Sequence, residues 1–118
     1  MRSSCNLKFT ALDSDRFVNY SSRMMEVRLT DEFRKWLRGL ADIRAAKKIA
    51  QRIARVQAGL LGDAKFFDGI GELRVDYGPG YRVYFVRRGK TVIILLCGGD
   101  KRSQDRDIGK ARQMAKEV

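Results

Sequence analysis

GELRVDYGPGYRVYFVRRGKTVIILLCGGDK, residues 71–101, decides the fold, because it encodes three strands, two tight turns and a row of cations. Pairing Leu73, Val75 and Tyr77 with Tyr81, Val83 and Phe85 about the Gly78-Pro79-Gly80 turn puts six apolar side chains on one face. The opposite face collects Glu72, Arg74, Asp76, Arg82 and Tyr84. A turn at Arg88-Gly89 returns the chain through Thr91 to Cys97, a run apolar enough for a central strand buried on both sides. The end of that strand then lies beside the start of its neighbour, which brings Gly98, Gly99, Asp100 and Lys101 close to Tyr81 and Arg82. Such a sheet edge gathers cations, a carboxylate and a tyrosine, and is suited to hold a polyanion.

Upstream, Met25, Val27 and Leu29 alternate with Glu26 and Arg28 as in a half-buried strand. Thr30 or Asp31 can cap a helix with Phe33, Trp36, Leu37 and Leu40 in one apolar stripe, ended near Gly39. A second helix, about residues 43–58, is expected to turn Ile43, Ala46, Ile49, Ala50, Ile53 and Val56 inward and Arg44, Lys47, Lys48, Arg52 and Arg55 outward. Residues 59–71 read as a loop with Phe66 and Phe67 tucked beneath it. Ser103 can cap a last helix whose Ile108, Ala111, Met114 and Val118 face the body. Residues 1–24 are polar and Ser-rich, with a short extended piece at Leu7 and Phe9; they read as an extension dispensable for folding, or as a start upstream of a natural Met24 or Met25. The expected fold class is α+β, a small antiparallel sheet with an N-terminal helical hairpin on its Leu73/Val83 face and a short C-terminal helix. That arrangement leaves the Arg74/Arg82 face for function.

The whole chain, 118 residues, suffices for one domain, residues 25–118 after the extension. Against 14 Asp and Glu stand 25 Lys and Arg, a net +11 that favours nucleic acid, ribosome-like surfaces, anionic membranes or an acidic protein partner. The absence of His excludes His-based acid/base pairs, Ser-His-Asp triads and His metal sites. Cys5 and Cys97 make neither a Cys-x-x-Cys pair nor a disulfide framework, and Cys97 reads as a plain buried thiol. With the acidic residues scattered among bases, no metal and no cofactor is expected. The longest apolar run, Val92 to Cys97, is far too short to cross a bilayer, and no signal-peptide stretch opens the chain, so the expected compartment is the cytoplasm.

Each candidate has a plain structural reading beside its functional one. Lys48 and Arg55 belong either to the solvated side of the second helix or to a surface that touches RNA or an acidic partner. Arg82 is either half of a cross-strand ion pair with Asp76 or a functional cation. Gly98-Gly99 marks a bend after the strand or a phosphate-binding turn.

The strand MEVRLT, the helix DEFRKWLRGL and the segment GELRVDYGPGYRVYFVRRGKTVIILLCGGDKRSQDRDIGKA together resemble toxins of the RelE/ParE superfamily, nearest to HigB-like addiction-module killer proteins. The resemblance covers about residues 25–118, and GPGYRVYF with LLCGGDK is its most specific part. It implies a RelE-like, microbial-RNase-like toxin neutralised by a cognate antitoxin of helix-turn-helix type, reaching DNA only through that complex. RelE and HigB relatives cut mRNA in the ribosome without a metal, whereas ParE relatives inhibit DNA gyrase without catalysis. Carried over by position, Arg82 would hold the reacting phosphate, with Arg74 and Lys101 as supporting cations and Glu72 as the base. Tyr84 is the weaker alternative to Glu72 as base, its free pKa being too high for the task. Arg102, Tyr84 and, from the basic second helix rather than from the resemblance, Lys48 and Arg55 are the expected substrate contacts. Where RelE has a tyrosine near the start of the last segment, this chain has Asp107 and Ile108, and no His replaces it, which leaves the acid and base open.

Overall fold

In a computed structural model that describes residues 24–118, alternation of apolar and polar residues gives strand β1 (Glu26–Leu29), and Thr30 ends it by capping helix α1 (Asp31–Arg38). The Thr30 hydroxyl oxygen accepts from the Phe33 amide at 3.0 Å and donates to the Leu96 carbonyl at 2.7 Å, tying the helix start to the sheet. Asp42 caps helix α2 (Ile43–Gln57) in the same way, accepting from the Arg44 and Ala45 amides. Strands β2 (Ala64–Phe67), β3 (Ile70–Val75), β4 (Tyr81–Arg88) and β5 (Val92–Asp100) follow, then a 3₁₀ turn (Lys101–Ser103) and helix α3 (Gln104–Glu117).

The class is α+β, but the sheet is mixed, in the order β1-β5-β4-β3-β2, with β1 parallel to β5 and the other pairs antiparallel. The expectation of a purely antiparallel sheet fails at β1, which reaches β5 only through the long crossover that parallel neighbours require. The expected 59–71 loop also contains a strand: β2 pairs with β3 from Ala64↔Leu73 to Phe67↔Ile70. Phe66 is 57% exposed and meets the Phe85 ring edge-on at 5.5 Å across Gly71, rather than lying under a loop.

Helices α1 and α2 lie against one sheet face, burying Phe33, Ile49 and Val56 with Leu73, Val83, Phe85, Ile93 and Leu95. Each helix packs on the sheet rather than on the other. The buried stripe of α2 runs Ala45, Ile49, Arg52, Val56, so Ile43 and Ala50 are exposed and Arg52 is buried, contrary to the expected orientation. Arg52 is tolerated there because its aliphatic stem crosses the core edge and its guanidinium finds backbone carbonyls. α3 covers much of the opposite face, packing Ala111 over Ile70, Tyr84, Val86, Leu96 and Cys97; Val118 at its end is exposed. A register shift at Tyr84/Phe85 turns Leu96 and Cys97 to this same side, leaving β5 buried on both faces as expected. Asp100, not Ser103, supplies the side-chain cap, accepting from the Arg102 and Ser103 amides. The readings at Cys5, Leu7 and Phe9 and of the 1–24 extension lie outside the described residues, Met24 excepted.

Candidate nucleic-acid interface

The β3–β4 register sets Arg74 opposite Arg82 and Glu72 opposite Tyr84. Asp76 lies beyond the paired residues, so the expected Arg82–Asp76 cross-strand pair is replaced by one between Arg82 and Glu72, 3.6 Å from Nη1 to Oε1. Glu72 is 1% exposed, and its other oxygen accepts from Gln104 Nε2 at 2.9 Å. α3 therefore closes over this carboxylate, which holds the Arg82 guanidinium and is out of reach of a substrate. The expected role of Glu72 as a base fails on that burial.

Tyr84 is likewise enclosed, with no exposed surface, and its hydroxyl has no hydrogen-bond partner among the described residues. Burial, and then the neighbouring Glu72 charge, raise its pKa far above that of a free phenol. It is a core residue and not a substrate contact. Cys97 is buried too, and burial pushes its thiol up to about 12, in keeping with the inert reading.

Toward the other end of β3, the same face opens. A groove of ≈ 340 Å³ is lined by Asp63, Arg74, Asp76, Gly80, Tyr81 and Arg82. It shares Asp63, Arg74 and Asp76 with a larger neighbouring groove of ≈ 500 Å³ that reaches Lys48, Arg52 and Arg55 on α2. Arg74 Nη2 and Nε donate to Asp63 Oδ1 at 2.8 and 3.2 Å, holding that carboxyl below its usual range although burial opposes it. Arg82 is 12% exposed in its side chain, and its buried Nε has no partner among the described residues. Tyr81↔Asp100 and Arg82↔Gly99 pairing brings the β5 end beside the groove, as the sequence suggests. Lys101 stands at the rim next to Gly80, where an added Cβ would meet the Lys101 Cβ at 4.0 Å. Arg102 points away, 86% exposed and paired with Asp100 at 3.3 Å.

Arg74 thus lines two neighbouring grooves, one with Arg82 and the other with Lys48 and Arg55; Lys101 stands beside Gly80, Glu72 and Tyr84 are buried, and Arg102 lies outside both. Sequence reasoning missed Arg52, Asp63 and Gln104. The spacing Ala45, Ile49, Arg52, Val56 carries the Arg52 signal, since it continues the apolar stripe; nothing local marks Gln104, whose role depends on how α3 docks.

A 95-residue alignment at 47% identity joins the chain to an uncharacterized protein of Haemophilus influenzae (strain ATCC 51907 / DSM 11121 / KW20 / Rd), covering 80% of this chain and 96% of the relative. The chain belongs to that protein's family. Kinship with the Haemophilus family member extends over the domain and not over a short motif, so common ancestry reaches well past any single strand or turn. No protein-family model matches the chain. Among the described residues no helix is long and apolar enough to cross a membrane.

Proposed function

We propose that this protein is the toxin of a type II toxin–antitoxin pair, a RelE/ParE-superfamily, HigB-like endoribonuclease that cuts mRNA on the ribosome in the cytoplasm. The observation that supports this most is the Arg82 guanidinium, ion-paired with buried Glu72 on one side and lining, with Arg74, an open groove on the other. A planar guanidinium held from behind is suited to a tetrahedral phosphate in front. In the reaction the RNA 2′-oxygen attacks its own 3′-phosphate, the P–O5′ bond breaks, and a 2′,3′-cyclic phosphate and a 5′-hydroxyl are left. Arg82 and Arg74 stabilise the charge that grows on the non-bridging oxygens. Lys101, as the acid, gives the leaving 5′-oxygen the proton that makes it the 5′-hydroxyl. Of the carboxylates along the groove, Asp63 is engaged by Arg74, so Asp76 takes the place first given to Glu72 as acceptor of the 2′ proton. A helix-turn-helix antitoxin would neutralise the toxin by covering this basic surface.

The test must separate chemistry from folding, because Arg82→Ala alone strands a buried carboxylate at a cost of ~3–5 kcal/mol. Pairing Arg82→Ala with Glu72→Gln removes the stranded charge and keeps an acceptor for Gln104. The double variant should fold, yet lose growth inhibition and mRNA cleavage in a translating extract. A folded double variant that still arrests growth would refute the assignment; arrest with DNA damage and intact mRNA would instead indicate a ParE-like gyrase inhibitor.

A further inference from the structure

The proposed reaction leaves Lys48, Arg52 and Arg55 unused, and of these Arg52 has unusual surroundings. It is 9% exposed, its Nη2 and Nε donate to the Asp63 and Arg74 carbonyls at 3.0 and 3.3 Å, and its buried Nη1 has no partner among the described residues. The nearest carboxylate, Asp63, gives its side chain to Arg74 instead. Burying a cation on carbonyls alone is costly, and the cost falls when an anion sits close by. Above the guanidinium lies Gly62, at φ +64, where an added Cβ would come within 3.2 Å of both terminal nitrogens. The groove floor here is bare backbone over a buried charge, and Lys48, Arg55 and Arg74 stand around it. Positive potential focused in a cleft by low-dielectric walls raises the local concentration of anions.

We infer that the cavity between α2 and β3 is a second phosphate subsite, taking a phosphodiester of the same single-stranded RNA next to the one held at Arg82. Lys48, Arg55 and Arg74 contact that phosphate, while Arg52 adds its charge from beneath the Gly62 floor. Arg74, which lines both grooves, bridges the two positions. Asp63 competes: its carboxylate holds Arg74 where a phosphate would otherwise draw it. The inference rests on the ribonuclease reading for its ligand but not for its measurement.

Titration of the isotope-labelled protein with inorganic phosphate, and separately with a 2′-O-methylated tetranucleotide that cannot be cut, tests it by nuclear magnetic resonance. Both probes should move the Gly62 amide and Arg52 Nε signals. Lys48→Ala with Arg55→Ala, two exposed changes that leave the core intact, should weaken tetranucleotide binding about tenfold and lower the salt-dependence slope by about 1 or more. Asp63→Asn keeps the backbone carbonyl that Arg52 and Arg74 use, removes the competing charge, and should tighten binding several-fold. Unmoved Gly62 and Arg52 signals, or a Lys48/Arg55 variant that binds as the parent does, would overturn the subsite. A non-toxic Arg82→Ala/Glu72→Gln variant that still shows the Gly62 response supports both proposals; the same response in a variant that remains toxic refutes the nuclease and spares the subsite.

Discussion

Arg82, Glu72 and Tyr84 alternate across two paired strands, and their fates differ because of what α3 covers. An arginine has the reach to bring its guanidinium to the groove while its stem stays buried; a glutamate and a tyrosine at the same depth do not. Tyr84 gives the sharper test. Its hydroxyl is buried without a partner, a loss of hydration that no hydrogen bond offsets, so Tyr84→Phe should stabilise the protein by ~1 kcal/mol and leave growth inhibition unchanged. Chemical denaturation and a toxicity assay check both halves, and a substantial loss of toxicity in a stable Tyr84→Phe would return the residue to the site. Alternation along β3 and β4 made the cations legible in the sequence: Arg74 and Arg82 share a face because they pair directly. It could not distinguish the end of that face under α3 from the open end, since docking of a helix distant in sequence decides it. Arg52 was misread for a related reason. Its charge suggested solvent, whereas its place in the 45, 49, 52, 56 spacing put it inside.

At the level of elements, α1, α2, β3, β4 and β5 follow from apolar spacing, caps and turn residues, each a local signal. β2 escaped because its four residues contain no clean alternation, and it gains order chiefly from pairing with β3 and from the Phe66–Phe85 contact. The parallel direction of β1 likewise depends on where the crossover lands. Glycines separate positions held by packing from positions held only by backbone preference. At Gly71 an added Cβ would lie 2.2 Å from Phe85 Cζ, in the middle of the core, so Gly71→Ala should destabilise by ~1–3 kcal/mol as the ring is forced aside. Gly109 lies inside α3 with nothing within 4 Å of an added Cβ, so Gly109→Ala should stabilise by ~0.5–1 kcal/mol through the helix propensity of alanine. Thermal melts of the two variants should move in opposite directions. A stabilised Gly71→Ala would mean that Phe85 does not fill the space over the strand.

For the molecule as a whole, +11 on 118 residues acts on folding and on binding with opposite signs. Ion pairs such as Arg74–Asp63 and Lys110–Glu32 neutralise part of the surface, but the two neighbouring grooves bring together Lys48, Arg52, Arg55, Arg74 and Arg82 with Lys101 beside them. Those cations repel one another in the free protein, and salt screens that repulsion over a Debye length of ~8–10 Å at physiological ionic strength. Exposed pairs lose little in return, being worth ~0–1 kcal/mol each. Raising sodium chloride from low to moderate concentration should therefore raise the melting temperature of the isolated protein. Over the same range its affinity for single-stranded RNA should fall linearly on a log–log plot, because each phosphate contact releases condensed counterions. Binding of RNA should in turn raise the melting temperature most where salt is lowest, since a ligand that binds only the folded state stabilises it in proportion to its occupancy. If added salt lowered the melting temperature of the free protein, the surface ion pairs would outweigh the repulsion. The grooves would then be balanced without an anion, and the argument that a polyanion belongs in them would lose its electrostatic basis.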